Sequence, residues 1–488
     1  MRDYIEHDAT SLAELVATKQ VSAKELLDAA LARAAAVNPK LNAIVIPMTE
    51  IARARAAEAL TGPFAGVPFL IKDIQQDYAG VPSTSGSRAL RDYRPSMHSE
   101  AVKRFLSAGF VIFGKTATPE FALKAITETE LFGATRNPWD PERTPGGSSG
   151  GAASAVASGI VPVAGASDGG GSIRIPASYC GLFGLLPSRG RVPSAPRGEI
   201  WEGALGEHVL TRSVRDSARI LDAIHGPDRG APFQIAKPER PFAEEVGRDP
   251  GKLRIGFSIK NPVGGDVHPD CIRAVREAVA LLEVLGHHVD EEEPNIDGGD
   301  LARSYVTMYF GQVAASVAEA KAKTGATDAD FELDTLAIAL LGHSISAADY
   351  VVARKKWNGF TRALATDHAR YDLYLTPTTA QPPARIGELT MPAREQTLVR
   401  SVLALGLGKA LLRTGIVAKL AQKSLNRTPF TQLSNLTGTP SMSVPMLFTD
   451  LPFGVQLVAR FGEEALLLRL ASQIEAARPW FTKRPPEP

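Results

Sequence analysis

Residues 145–184 read PGGSSGGAASAVASGIVPVAGASDGGGSIRIPASYCGLFG, a stretch almost free of long side chains. Small residues let backbone pack against backbone, an approach that bulky side chains forbid. Residues 151–158 are predicted as a small-residue helix, 161–164 as a strand and 168–172 as a glycine loop. Upstream, GVPFLIKD (66–73) is a short apolar run of strand type that stops at Lys72 and Asp73. A helix over 99–108 leads into the strand-like FVIF of 110–113. Downstream, strands are predicted at 253–258, 371–376, 440–445 and 454–458, with helices at 269–285 and 463–475. Short buried strands alternating with helices specify an α/β sheet covered on both faces.

Two regions break the alternation. Residues 11–60 have a helical pattern, with Ser11 and Ser22 placed as N-caps and Glu14 and Glu25 three residues on, as in a capping box. Residues 301–370 read as a long helical stretch, expected to cover one end of the sheet. No linker is long enough to require independently folded units.

Composition narrows the function. The 488 residues carry 54 Lys+Arg against 53 Asp+Glu, a net charge of +1, so there is no basic footprint for nucleic acid. Two cysteines, Cys180 and Cys271, cannot build a disulfide framework, and no Cys/His group has zinc-ligand spacing, which fits a reducing, cytoplasmic setting. The N-terminus lacks the apolar core of a signal peptide, and no stretch has the density of large apolar residues that a transmembrane helix requires. Residues 398–427 are the local exception, with Arg400, Lys409, Arg413, Lys419, Lys423 and Arg427 and no acidic residue. Such a segment packs on its own core with a solvated basic face, or lies on a membrane surface or partner.

Three motifs compete for the chemistry. GFVIFGKT (109–116) satisfies the phosphate-loop expression, but its strand occupies the positions between the glycines and Pro119 follows where a helix should begin. GGSSG (146–150) satisfies the nucleophile-elbow pattern around Ser148, yet Arg143, Thr144 and Pro145 precede it instead of a buried strand, and no later histidine has a marked context. The third combines both glycine-serine loops with Lys72. A lysine can activate a serine when burial keeps the amine neutral, well below its reference pKa of roughly 10.4. Ser148 and Ser172 are candidates for proton relay and nucleophile, and the glycines of DGGGS leave N–H groups unobstructed for an oxyanion. Cys180 reads as a small buried packing residue. Asp168 and Arg174 flank the loop, as its support through charge-assisted bonds or as an ordinary ion pair.

GVPFLIKD, GKTATPEF, GATRNPWD, PGGSSGGAASAVASG, SDGGGSIRIPASYCGLFGLLPSRGRV and TRSVRD, in this order, resemble segments of the amidase signature family across nearly the whole chain. The resemblance implies a large mixed, mostly parallel central sheet with helices on both faces. It implies one amidase domain over 1–488, with a helical segment at about 1–60 and a substrate-side helical layer at about 301–370 and 395–427. It assigns Lys72 as base, Ser148 as the serine after a cis peptide, Ser172 as acyl-forming nucleophile, and Gly169, Gly170 and Gly171 to the oxyanion loop. No cofactor or metal is expected, and the partner is a small-molecule amide. The assembly considered is a homodimer.

The family commonly has Lys-Pro-Thr at Leu186-Pro187-Ser188 and Thr at Ser167. IRIPASYCG, SRGRVPSAP, LRIGFSIKNPVG and RPWFTKRPP resemble a branch whose members cleave cyclic and linear amides. Within the family the alternative is the glutaminase subunit of a tRNA amidotransferase, and outside catalysis a silent binding protein on the same fold.

Overall fold

A computed structural model describes residues 3–487. Thirteen strands occur among the described residues: β1 (Ile44–Pro47), β2 (Pro68–Lys72), β3 (Val111–Thr116), β4 (Glu128–Thr129), β5 (Gly133–Ala134), β6 (Val163–Asp168), β7 (Phe183–Leu186), β8 (Gly206–Thr211), β9 (Arg254–Phe257), β10 (His288–Glu291), β11 (Leu373–Pro377), β12 (Ser441–Phe448) and β13 (Pro452–Ala459). Eleven form one large mixed sheet flanked by helices, in the order β1-β3-β2-β6-β8-β7-β12-β13-β11-β9-β10. β4 and β5 pair separately.

Parallel pairing is gathered into two blocks, β3-β2-β6 and β11-β9-β10, and an antiparallel centre joins them. The connections account for this, since parallel neighbours need a crossover. The helix Glu100–Ser107 lies between β2 and β3, and Pro269–Val284 between β9 and β10. β12 and β13 need only the short turn at residues 449–451 and pair as a hairpin. Every residue of β2, β6 and β13 is buried, as expected for strands covered on both faces.

The main core joins Phe69, Leu70, Val156, Leu210, Val455 and Leu467 under these helices. A second apolar cluster holds Leu301, Tyr305, Trp357, Leu425 and Leu436. It belongs to the helices Gly298–Thr324, Ala347–Asp367, Ile416–Leu425 and Gln432–Thr437. No single helix among the described residues is long and apolar enough to cross a membrane.

Several local expectations change. The segment to residue 60 is not wholly helical, because Ile44–Pro47 forms the edge strand β1, antiparallel to β3. Its four residues end at a proline, which restricts it to an edge. Asp8, not Ser11, caps the first long helix, Ala9–Ala17, with Ser11 N–H donating to Asp8. Ser22 and Glu25 do form a capping box. The basic stretch breaks into the helices Ala393–Ala404, Gly408–Arg413 and Ile416–Leu425, with Gly406 and Gly415 at positive φ between them.

Candidate active site

β2 and β6 run parallel, with Leu70 opposite Ala164, so their C-terminal ends reach the same edge of the sheet. Lys72 ends β2, and Ser167 and Asp168 end β6. Lys72 Nζ lies 2.8 Å from Ser148 Oγ, 3.1 Å from Ser167 Oγ and 3.4 Å from the Ser167 carbonyl. Its backbone N–H donates to Gln76 Oε1 at 2.8 Å, and Gln76 Nε2 donates to the Ala166 carbonyl at 3.3 Å, tying the two strand ends together.

Full burial lowers the Lys72 pKa to about 7, although Asp168 and Glu207 oppose that shift. The amine is therefore able to accept a proton near neutrality. Glu207 stands opposite Ser167 on β8, and its carboxyl is itself pushed up to about 7 by burial.

The loop carrying Ser148 is held from both sides. Thr127 Oγ1 donates to the Gly146 carbonyl at 2.8 Å, and a Cβ at Gly147 would strike the backbone of Lys124 and Ile126. The Gly147–Ser148 peptide is cis. The helix Gly150–Ala157 starts directly after it, and its small residues bring it close to the sheet, where Gly151 N–H donates to the Ala117 carbonyl at 3.2 Å.

Asp168 organises the glycine loop. Its Oδ1 accepts from Gly171 N–H at 2.6 Å and Arg174 at 2.9 Å, and its Oδ2 from Ile173 N–H at 3.1 Å and Arg174 Nε at 2.9 Å. Burial alone would raise this carboxyl, but Arg174, Asn435 and the backbone donor outweigh it and hold it down to about 2. Arg174 in turn donates to the Thr431 carbonyl, to Gln456 Oε1, both at 2.7 Å, and to Asn435 Oδ1 at 2.6 Å. The pair is thus a fully bonded support for the loop, beyond an isolated ion pair at a turn.

Ser172 is half-buried, as is Gly170, while Gly171 between them is buried. Gly171 spends its N–H on Asp168, whereas those of Gly170 and Ser172 donate to no group among the described residues. Gly171 has φ +126, a conformation that other residues rarely adopt. Ser149 N–H donates to the Ser172 carbonyl at 3.3 Å, joining the two serine loops.

Lys72, Ser148, Ser172 and the three glycines therefore meet at the C-terminal ends of β2 and β6. Gln76, Glu207, Thr431, Asn435 and Gln456 were missed as its supports, and they lie in segments with no motif of their own. Ser167, noted only as a departure from the family pattern, touches the lysine directly. Cys180 is buried, with Sγ 3.6 Å from the Pro145 carbonyl, and burial pushes its thiol pKa far up. No group of three or more His, Cys, Asp or Glu placed to hold a metal occurs among the described residues.

The mixed sheet and sequence likeness define a hydrolase acting on carbon–nitrogen bonds, an amidase. The chain belongs to the amidase signature family, whose model, described as Amidase, matches residues 25–468. It is 37% identical to a 6-aminohexanoate-cyclic-dimer hydrolase of Pseudomonas sp. (strain NK87), over 98% of this chain and 96% of that one. A solved 6-aminohexanoate cyclic dimer hydrolase, complexed with substrate, superimposes with a TM-score of 0.91 at 35% identity, covering 99% of both chains. A bacterial aryl acylamidase aligns with a TM-score of 0.82 at 28% identity, covering 97% of both.

Proposed function

We propose that the chain hydrolyses small carboxylic amides, cyclic or oligomeric ones among them, through an acyl-enzyme on Ser172. The observation that carries this is the buried Lys72 amine, lowered to about 7 and 2.8 Å from Ser148 Oγ. Neutral Lys72 takes the Ser148 proton while Ser148 takes that of Ser172, and Ser172 Oγ bonds to the amide carbon. The Ser172 hydroxyl has no partner among the described residues, so the relay requires it to turn onto Ser148 as substrate binds. The proton then returns through Ser148 to the leaving nitrogen as the carbon–nitrogen bond breaks. Water activated by the same relay releases the acid.

The uncommitted N–H groups of the Gly169–Gly170–Gly171–Ser172 loop, those of Gly170 and Ser172, hold the oxyanion, while Gly171 shapes the loop with its N–H on Asp168. Likeness to hydrolases named for the 6-aminohexanoate cyclic dimer along nearly the whole chain supports a cyclic diamide as a substrate. In the same proposal all 488 residues form one amidase domain, the helices of about 301–370 and 395–427 provide the variable substrate wall, and the two free, buried cysteines accord with a cytoplasmic setting.

The test is a panel of aliphatic, aryl, cyclic and glutamine amides assayed with wild type, Ser172→Ala and Lys72→Ala. Turnover of a small amide should fall by at least about a thousandfold in both variants, within the range for loss of a catalytic-unit member. Near-wild-type turnover in Ser172→Ala would sink the mechanism, and activity confined to glutamine would replace the substrate class.

A further inference from the structure

Tyr305 is 8% exposed, yet its hydroxyl has no hydrogen-bond partner among the described residues. It projects from the helix Gly298–Thr324 onto the glycine loop, where a Cβ at Gly170 would overlap the phenol oxygen. The ring is fixed in that place. It stacks on Tyr309 at 6.2 Å between centroids, and the Tyr309 hydroxyl is anchored on the Leu123 carbonyl at 2.7 Å. Trp201 meets Tyr309 edge-on at 5.6 Å and packs against Gly169.

The ring is buried while the hydroxyl oxygen keeps contact with solvent, so the phenol presents a free donor at the surface of the loop. Here the unused donor stands beside the half-buried Gly170, whose own N–H is also unused. We propose that Tyr305 is a further catalytic residue, its phenol hydrogen donating to the substrate carbonyl oxygen as that oxygen becomes anionic on attack by Ser172. The proton stays on the phenol throughout, which is consistent with burial raising its pKa. This rests on the acyl-enzyme mechanism proposed above and adds a side-chain donor to the backbone N–H groups.

Tyr305→Phe tests it, since the ring and its stacking remain and only the donor is lost. The expected result is a fall in kcat of about 100-fold across simple monoamides, with KM within about twofold, as for the loss of one oxyanion donor. Labelling of Ser172 by a fluorophosphonate, whose phosphoryl oxygen occupies the same position, should slow with it, and the melting temperature should hold. If wild type turns over amides and labels at Ser172 while Tyr305→Phe keeps its kcat, or changes KM alone, the role of Tyr305 is overturned and the mechanism stands. A wild type that neither turns over any amide nor labels at Ser172 overturns both.

Discussion

The Lys72 amine is pulled in opposite directions, by burial toward the neutral form and by Asp168 and Glu207 toward the charged one. Burial wins, and the amine is neutral above about pH 7. Activity should therefore rise through an apparent pKa near 7 and level off above it, measured as kcat/KM against pH. Glu207→Gln removes one of the two charges that favour the ammonium, so the rising limb should move to lower pH. A limb unmoved in that variant would show that Glu207 has no hold on the base. Lys72, Ser148 and Ser172 were legible in the sequence because each sits in a contiguous motif whose residue types make chemical sense together. Glu207 and Asn435 were not, because their parts depend on strand register and on contacts across 261 to 267 residues of chain.

At the scale of the element, the helix Gly150–Ala157 sets the position of Ser148. Its small residues announced close packing in advance, and the structure shows what they pack against. A Cβ at Gly151 would run into the backbone of Ala117 and Ala43, which cannot swing aside as a side chain can. Gly151→Ala should therefore destabilise the fold by about 1–3 kcal/mol, as overpacking does. Turnover should drop further than stability explains, because the helix start moves with Ser148; urea unfolding beside kinetics separates the two effects. Strand β8 was invisible in sequence for the converse reason. GEHVLT buries Glu207 and His208 inside a sheet, so the apolar run that marks a covered strand is interrupted. His208 meets Ser217 at 2.8 Å, a partner that periodicity does not reveal.

The whole molecule is built on one sheet that draws on both ends of the chain, β1 at one edge and the late strands β12 and β13 near the middle. The alternation of strand and helix made the α/β class readable, but not the antiparallel centre, where β7 meets β12 across more than half of the chain. We expect a single cooperative unfolding transition by calorimetry, coincident with loss of activity. Two separated transitions would divide the chain into units and remove the one-domain proposal. The C-terminal residues take part in this closure, with Trp480 Nε1 donating to the Arg212 carbonyl at 2.8 Å and Phe481 lying under the Arg212 guanidinium.

The Asp168–Arg174 support has a consequence in time. On the ribosome the loop carrying Asp168 and Ser172 emerges some 260 to 280 residues before Asn435 and Gln456, the groups that complete the shell around Arg174. Until they arrive, a charge destined for burial has only part of its partners, and the sheet lacks its central hairpin. Nearly the whole chain must therefore be translated before the loop carrying Ser172 can take its final form, so its ordering belongs to the late stages of folding.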